Sequence, residues 1–153
     1  MAAGSVTALA LSALFEICVP ATSQGHLQQT FPTELIVPLT DREKIELADV
    51  IKDEDRAYHI RSDDGFILMT TTGGFCRILT ESGDTDRAAE EFRRALKNAG
   101  GKEREPTQPP GPGMQEFYGL IPLGDGDAVA VVFTAQKGDH SGFFGSAFGV
   151  HKD

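Results

Sequence analysis

The sequence predicts one α+β domain over residues 1–153, with an antiparallel sheet of five to six strands built from hairpins and two to three helices packed mainly on one face. Three dipeptides that favour two-residue hairpin turns support this fold class: Asp64-Gly65, Gly73-Gly74 and Asp125-Gly126. An amphipathic segment of helical period lies between the second and the third. Hairpins and separate helices in one chain are typical of the α+β class.

Composition and charge restrict the function classes. Of the 153 residues, 40% are hydrophobic and 24% are charged, which is near the average for globular domains. The formal net charge of −9 repels phosphate backbones, so we expect no nucleic-acid partner. A basic protein partner would suit this charge, although an acidic surface more often serves solubility alone. We expect no membrane span, because the apolar runs fall short of the required ~20 residues.

The first 21 residues admit two interpretations. Residues 6–14 are an apolar run and Val19-Pro20-Ala21 resembles the small-residue end of a cleaved signal peptide. The alternative is a buried helix ended by Pro20, with an apolar face of Val6, Leu9, Ala10, Ala13, Leu14 and Ile17. The helix is favoured because no Lys or Arg precedes Arg42, whereas a signal peptide begins with basic residues. An exported protein that starts further upstream would reconcile both observations.

Two later segments are also predicted to be helical. Thr40-Asp41-Arg42-Glu43 has the form of a capping box, and a weakly amphipathic helix follows it to about residue 55. Its apolar positions are Ile45, Ala48 and Ile51. The clearest helix begins at Asp84 or Thr85 and ends at Asn98-Ala99-Gly100-Gly101. Its buried stripe is expected to contain Ala88, Ala89, Phe92, Ala95, Leu96 and Ala99.

The first two hairpin dipeptides fix a strand register when each is placed at the tip of a two-residue turn. One face across three strands then becomes apolar and contains Ile60, Met69 and Ile78, followed by Tyr58, Thr71 and Cys76. The opposite face contains His59, Thr70 and Arg77, followed by Arg61, Leu68 and Leu79. Two independent turns that produce one apolar face make this register a strong prediction.

The last third of the chain is predicted to be strands again. Residues 117–123 and 128–134 flank Asp125-Gly126, and a two-residue turn there places Tyr118 opposite Phe133. Both faces of this pair are apolar, so we expect it at the centre of the sheet. Residues 143–150 form the final strand.

The segment 102–113 is rich in charge, proline and glycine. This composition predicts an exposed loop without regular structure.

Cys18 and Cys76 are the only cysteines, and both lie on predicted apolar surfaces. If the N-terminal helix packs on the apolar sheet face, the two sulfurs come within reach of a disulfide, which needs an oxidising compartment. The alternative is two reduced, buried thiols. A catalytic Cys76 is disfavoured because the register directs Cys76 inward and His59 outward.

The sequence predicts no catalytic residue, no metal site and no cofactor. The histidines form neither an HxH nor an HExxH pair, and no cysteine has zinc-finger spacing. The acidic clusters at 53–55, 63–64 and 125–127 lack the ligand spacing of a calcium loop. No glycine-rich run continues as a nucleotide-binding motif.

Two weak binding features remain. His59 beside Arg61 and Arg77 on one sheet face would form a small anion site. Gly142-Phe143-Phe144-Gly145 with Phe148 presents either an aromatic binding strip or, more commonly, phenylalanines that fill the core.

We expect a small, acidic protein, exported to the periplasm or envelope, that acts by binding another molecule. The alternatives are a cytoplasmic protein, and a small hydrolase or transferase whose site assembles from sequence-distant histidines and carboxylates. A deep pocket that holds His59 or His140 beside a carboxylate would favour the enzyme. A flat surface with exposed apolar side chains would favour binding. The sequence does not indicate the partner or the oligomeric state.

Overall fold

A computed structural model describes residues 5–23, 25, 27–51, 56–63, 65–72, 74–80, 85–105, 111–136 and 142–151. Across these ranges, eight strands form one antiparallel sheet in the order β1-β2-β3-β4-β8-β7-β6-β5. The strands are β1 (Ile36–Pro38), β2 (Arg56–Ile60), β3 (Ile67–Thr72), β4 (Phe75–Thr80), β5 (Lys102–Arg104), β6 (Met114–Gly124), β7 (Asp127–Gln136) and β8 (Gly142–His151). The sheet therefore consists of two four-stranded meanders that meet at β4 and β8.

The predicted α+β class with a single antiparallel sheet is confirmed, but the predicted count of five to six strands is too low. The two edge strands, β1 and β5, account for most of the difference. Each has only three residues, which is too short to show the alternation that identifies a strand in a sequence. Strand β5 occupies Lys102–Arg104, within the segment that was predicted to be an irregular loop; residues 106–110 of that segment lie outside the described ranges.

Among the described residues, three α-helical segments accompany the sheet, besides one 3-10 turn at Thr33–Leu35. The first runs without a break through α1 (Val6–Ala13), a π-helical turn (Leu14–Cys18) and α2 (Val19–Thr22). The others are α3 (Asp41–Glu46) and α4 (Thr85–Asn98). Pro20 does not end the N-terminal helix as predicted: it directly follows the π-helical turn, where the regular α-helical bonding is already interrupted, and the helix continues to Thr22.

Helix α3 is much shorter than predicted. The capping box is present, since the Glu43 N–H donates to the Thr40 hydroxyl and the Thr40 N–H donates to the Glu43 carboxylate. The helix nevertheless ends at Glu46, and Ile45 is 77% exposed instead of buried. Residues 52–55 lie outside the described ranges.

Helix α4 has nearly the predicted bounds. Gly100 adopts a positive φ of 80° after its last turn, and the Gly101 N–H donates to the Leu96 carbonyl at 2.8 Å, which is the bond of a Schellman cap. Ala88, Phe92 and Leu96 are buried as expected, whereas Ala99 is exposed.

The side chains of the sheet divide into two unlike faces, which we call the covered face and the open face. The N-terminal helix and α4 pack on the covered face, where they form one core with the sheet. The buried strand residues in this core are Ile60, Ile67, Met69, Cys76, Ile78, Phe117, Ile121, Val129, Val131, Phe133, Ala135, Phe143 and Ala147. The open face carries the alternate residues of the same strands.

A disulfide between Cys18 and Cys76 joins the N-terminal helix to β4. Their Cα atoms lie 5.1 Å apart, and both residues are at most 1% exposed. The predicted pairing is confirmed, because the helix packs on the face that carries Cys76.

Glycines let the helices approach the covered face closely. A Cβ atom at Gly119 of β6 would lie 2.6 Å from Leu96 Cδ2, and one at Gly145 of β8 would lie 2.9 Å from Leu14 Cδ2. Each leucine side chain therefore occupies space that any larger strand residue would fill.

The register of the first hairpins is partly as predicted. Met69 pairs with Ile78 and Thr71 with Cys76, as expected from a turn at Gly73-Gly74. The pairing of β2 with β3 is wrong by two residues, since Ile60 lies opposite Ile67 and not Met69. The connection spans residues 61–66 instead of two residues. A shift of two preserves the face, so Ile60 still lies with Met69 and Ile78.

The register of β6 with β7 is wrong by one residue. Gly124 pairs with Asp127 across the predicted turn, where Asp125 and Gly126 have φ values of 55° and 83°. A bulge between Pro122 and Gly124 then shifts the pairing, so Phe133 lies opposite Phe117. Tyr118 consequently lies on the open face. The pair is also not central, because β6 is next to the edge strand β5.

Loss of the disulfide is expected to lower the free energy of unfolding by about 4 kcal/mol, because the crosslink removes chain entropy from the unfolded state over a separation of 58 residues. Guanidinium unfolding of the wild-type chain with and without reductant measures this difference. The double variant Cys18→Ala with Cys76→Ala serves as the control and should not respond to reductant. An equal response of the double variant would contradict the assignment.

Gly119→Ala is expected to lower the free energy of unfolding by about 1–3 kcal/mol, because the new methyl group overlaps Leu96. Gly74→Ala is a matched control, since nothing lies within 4 Å of its Cβ position. Both variants are compared by urea unfolding. In the Leu96→Ala background the added cost of Gly119→Ala should largely disappear; an unchanged cost would mean that Leu96 is not the obstacle.

Candidate functional site

The open face presents three parallel rows of side chains that cross the strands. The middle row contains Thr70, Arg77, Ser146, Val132, Tyr118 and Arg104. On one side of it lies a row of Phe75, Phe148, Ala130, Leu120 and Lys102. On the other side lies a row of His59, Leu68, Leu79, Phe144, Thr134 and Glu116. Leu68, Thr70, Ala130 and Ser146 in these rows are buried, and the remaining side chains, which are exposed or half-buried, form a surface that is largely apolar and aromatic.

Aromatic side chains on this surface are accessible to solvent. Phe75 is 45% exposed and Phe144 is 40% exposed. The Phe75 and Phe148 rings stack with centroids 5.2 Å apart, and the Arg77 guanidinium lies over the Phe75 ring at 5.8 Å. These contacts agree with the register, because Phe75 and Arg77 are two residues apart on β4.

The glycine- and phenylalanine-rich segment of β8 divides its phenylalanines between the core and the open face. Phe143 is 3% exposed and belongs to the core, while the next residue, Phe144, points to the open face. Strand alternation thus divides one composition between core packing and an exposed aromatic surface.

The charged side chains of the open face are mostly basic. Arg77, Lys102 and Arg104 are exposed, and none forms an ion pair with another described residue. Among the described residues of β3 to β8, Glu116 is the one acidic side chain on this face. The sign of this local charge is opposite to the net charge of −9.

His59 and Arg77 of the predicted anion site occupy different rows of the open face. His59 lies 3.8 Å from the Glu43 carboxylate and against the Phe66 ring, 4.5 Å between centroids. The shifted register pairs His59 with Leu68, while Arg77 lies opposite Thr70 in another row. Arg61 follows β2 and is exposed. His140 lies outside the described ranges.

Both edges of the sheet are protected against pairing with another strand. Strand β1 is three residues long and ends in Pro38, which cannot donate a ladder hydrogen bond. Strand β5 is equally short and consists of Lys102, Glu103 and Arg104. Short, charged or proline-containing edge strands discourage strand addition. Recognition by this sheet would therefore involve its side chains.

A cleft of about 480 Å³ lies at the end of the sheet near the β6–β7 turn. Its lining includes Ser23, Asp127, His151, Phe75 and Phe148. His151 Nδ1 contacts Asp127 Oδ1 closely. The Ser23 hydroxyl donates to the Pro20 carbonyl at 2.8 Å and accepts from the Leu27 N–H at 3.1 Å. Phe75 and Phe148 line this cleft and also belong to the open face, so the cleft adjoins the open face.

A second cleft, of about 410 Å³, lies between α1 and α4. Leu11, Phe15 and Ala95 supply apolar walls, and Glu91 and Arg94 lie at the α4 side. It contains no histidine and no cysteine.

Within the described ranges, no three side chains of the metal-binding types cluster as ligands. None of the described helices is long and apolar enough to cross a bilayer.

Comparisons with protein-family models, with characterised proteins and with solved structures give no match.

Sequence reasoning missed the open face as one surface. Tyr118 was placed on the same face as Phe133, and Lys102 and Arg104 were assigned to a loop. Two features of the sequence could have indicated this surface. Strand alternation buries only one of the neighbours Phe143 and Phe144, and the segment 102–104 begins and ends with a basic residue.

The pKa of Glu43 is expected to lie below that of an ordinary glutamate, because the Thr40 N–H donates to its carboxylate and His59 lies nearby. A lowered pKa in the folded state means that the carboxylate stabilises the fold above the unfolded-state pKa. This contribution is lost as the pH falls through the folded-state value. NMR titration of the Glu43 carboxyl measures the midpoint, and the pH dependence of stability should weaken in Glu43→Gln. A midpoint at or above the ordinary value would contradict the capping geometry.

Proposed function

We propose that this chain is a binding protein that holds a partner protein on the open face of its sheet. The exposed aromatic surface around Phe75, Phe144 and Phe148 carries this proposal. Contiguous apolar surface rimmed by polar side chains is typical of interaction sites. Aromatic residues and arginine are enriched at the centres of protein interfaces, and the open face has both.

The chemistry of the clefts favours binding over catalysis. The His151–Asp127 pair is the nearest approach to a catalytic arrangement among the described residues, and it lies at the exposed end of two paired strands. The Ser23 hydroxyl beside it is held by backbone groups. The alternative function, a small hydrolase or transferase, would need a nucleophile or a general base in an enclosed pocket.

We also propose that the protein works outside the cytoplasm, in the periplasm or envelope. The buried Cys18–Cys76 disulfide supports this location, because such bonds persist in oxidising compartments. We further propose that residues 6–22 remain in the working protein, since α1, the π-helical turn and α2 supply buried core residues.

The basic partner expected from net charge is a separate proposal for the acidic remainder of the surface. The two proposed partners do not compete, because the charged side chains of the open face are mostly basic whereas the net charge of the chain is negative.

A photo-crosslinking amino acid at position 144 tests the proposed function. In the native source, irradiation is expected to give a discrete adduct with another protein, identified by mass spectrometry. The matched position is Lys97, which is exposed on α4 on the far side of the sheet. Equal adducts at positions 144 and 97, or none at 144, would contradict the proposal. An adduct of twice the chain mass would instead assign the face to self-association and also contradict it.

The captured partner is then purified and its Kd measured against variants. Phe75→Ser and Phe144→Ser are each expected to weaken binding at least tenfold, which corresponds to about 1.4 kcal/mol. Leu27→Ser is the control, because Leu27 is 38% exposed but belongs to the segment after α2 and not to the three rows. Thermal unfolding of each variant shows that the fold is intact. A Leu27 variant as weak as the phenylalanine variants would contradict the assignment of the site.

A further inference from the structure

We infer that the partner segment held by the open face is acidic and amphipathic, with an apolar centre and carboxylates at both ends. This inference rests on the proposed function and adds the chemistry of the partner. It follows from the charge of the open face and from the positions of its cations.

The cations flank the apolar rows from opposite sides. Arg77 lies on β4, whereas Lys102 and Arg104 lie on the edge strand β5. Arg77 and Arg104 belong to the same row and are separated by β8, β7 and β6. Four steps of about 4.8 Å between neighbouring strands place their backbones about 19 Å apart. A partner that reaches both must therefore cross the strands.

The side chains between the cations are small or apolar. Ser146 and Val132 occupy the middle row, with Ala130 beside them in the neighbouring row; Ser146 and Ala130 are buried and Val132 is half-buried, so Val132 is the one of the three that a partner can contact. The larger rings of Phe148 and Phe144 stand on either side along β8. Every two residues along a strand add about 7 Å, and Phe144 and Phe148 are four residues apart, so their backbones are separated by about 14 Å. An α-helix of about 10 Å diameter fits between them. At 1.5 Å per residue, about 13 helical residues span the distance from Arg77 to Arg104.

Charge complementarity selects the sign of the partner. Arg77, Lys102 and Arg104 have no acidic partner among the described residues, and Glu116 is the one carboxylate on these rows. A basic segment, or a second copy of this face, would bring like charges together. An acidic segment would gain ion pairs at both ends while its apolar side covers the rings.

Other ligand classes fit these side chains less well. Nucleic acid requires many phosphate contacts, and the face offers three cations in a chain of net charge −9. A carbohydrate site would need directed polar groups, and the described rows contain no Asn, Gln or Asp. Protein is therefore the class that these side chains favour.

Two synthetic 18-residue peptides test this inference on the full chain. Both carry the same Leu and Phe positions at helical spacing, and the polar positions at each end are Glu in one and Lys in the other. Fluorescence anisotropy is expected to show at least tenfold tighter binding of the Glu peptide. Its affinity should fall as salt is raised from 50 to 300 mM. NMR chemical-shift changes should be confined to β4, β5, β6, β7 and β8.

Charge variants identify the side chains that bind the peptide carboxylates. Arg77→Gln and Arg104→Gln are each expected to weaken the Glu peptide about threefold to tenfold, and Arg77→Glu should improve the Lys peptide. Arg94→Gln, on the exposed side of α4, is the matched control and should have no effect. A single-stranded oligodeoxythymidine that displaces the Glu peptide would overturn the inference in favour of a nucleic acid.

The outcomes separate this inference from the proposed function. Equal binding of both peptides, with loss in Phe144→Ser, would overturn the charge inference and leave the open face as a binding surface. Binding of neither peptide would also overturn it, and the crosslink at position 144 would then decide the proposed function independently.

Discussion

The packing of two helical segments on one side of the sheet is the constraint on which the rest of the structure depends. The N-terminal helix and α4 bury the covered face, and glycines at 119 and 145 let Leu96 and Leu14 reach the strand backbones. The Cys18–Cys76 bond ties the first helix to β4, which forms the central pair of strands with β8. Because these two helical segments pack on one face, alternate side chains such as Phe75, Arg77 and Phe144 remain exposed on the opposite face, where Glu43 of the short helix α3 approaches His59 at the β2 end. The open face is thus a direct consequence of how the core is built.

The sequence predicted this core more reliably than it predicted the surface. The Gly73-Gly74 turn fixed the β3–β4 register, and the error of two residues between β2 and β3 left every side chain on its expected face. The disulfide was predictable for the same reason, since it required only that Cys18 and Cys76 occupy apolar faces that pack together.

The surface was harder to predict because it depends on single-residue shifts and on short edge strands. One bulge near Leu123 exchanges the two faces of β6 relative to the predicted pairing, which moves Tyr118 to the open face. Three-residue strands carry no periodic signal, so the cations of β5 could not be placed beside the aromatic rows. Both strand faces of β6 and β7 are apolar in sequence, and composition alone cannot say which of them the helices cover.

Net charge is also a poor guide to what such a surface binds. The value of −9 describes the whole chain, whereas a partner on the open face encounters Arg77, Lys102 and Arg104 within about two Debye lengths of one another. The net negative charge disfavours nucleic acid, while under the proposed function the local cations would orient the partner segment. Because both edge strands are short and carry proline or charged residues, the addition of a partner strand at a sheet edge is disfavoured. Under the proposed function, recognition would therefore depend on side chains: the phenylalanine rings would supply apolar contact, and the arginines would select the charge and direction of the bound segment.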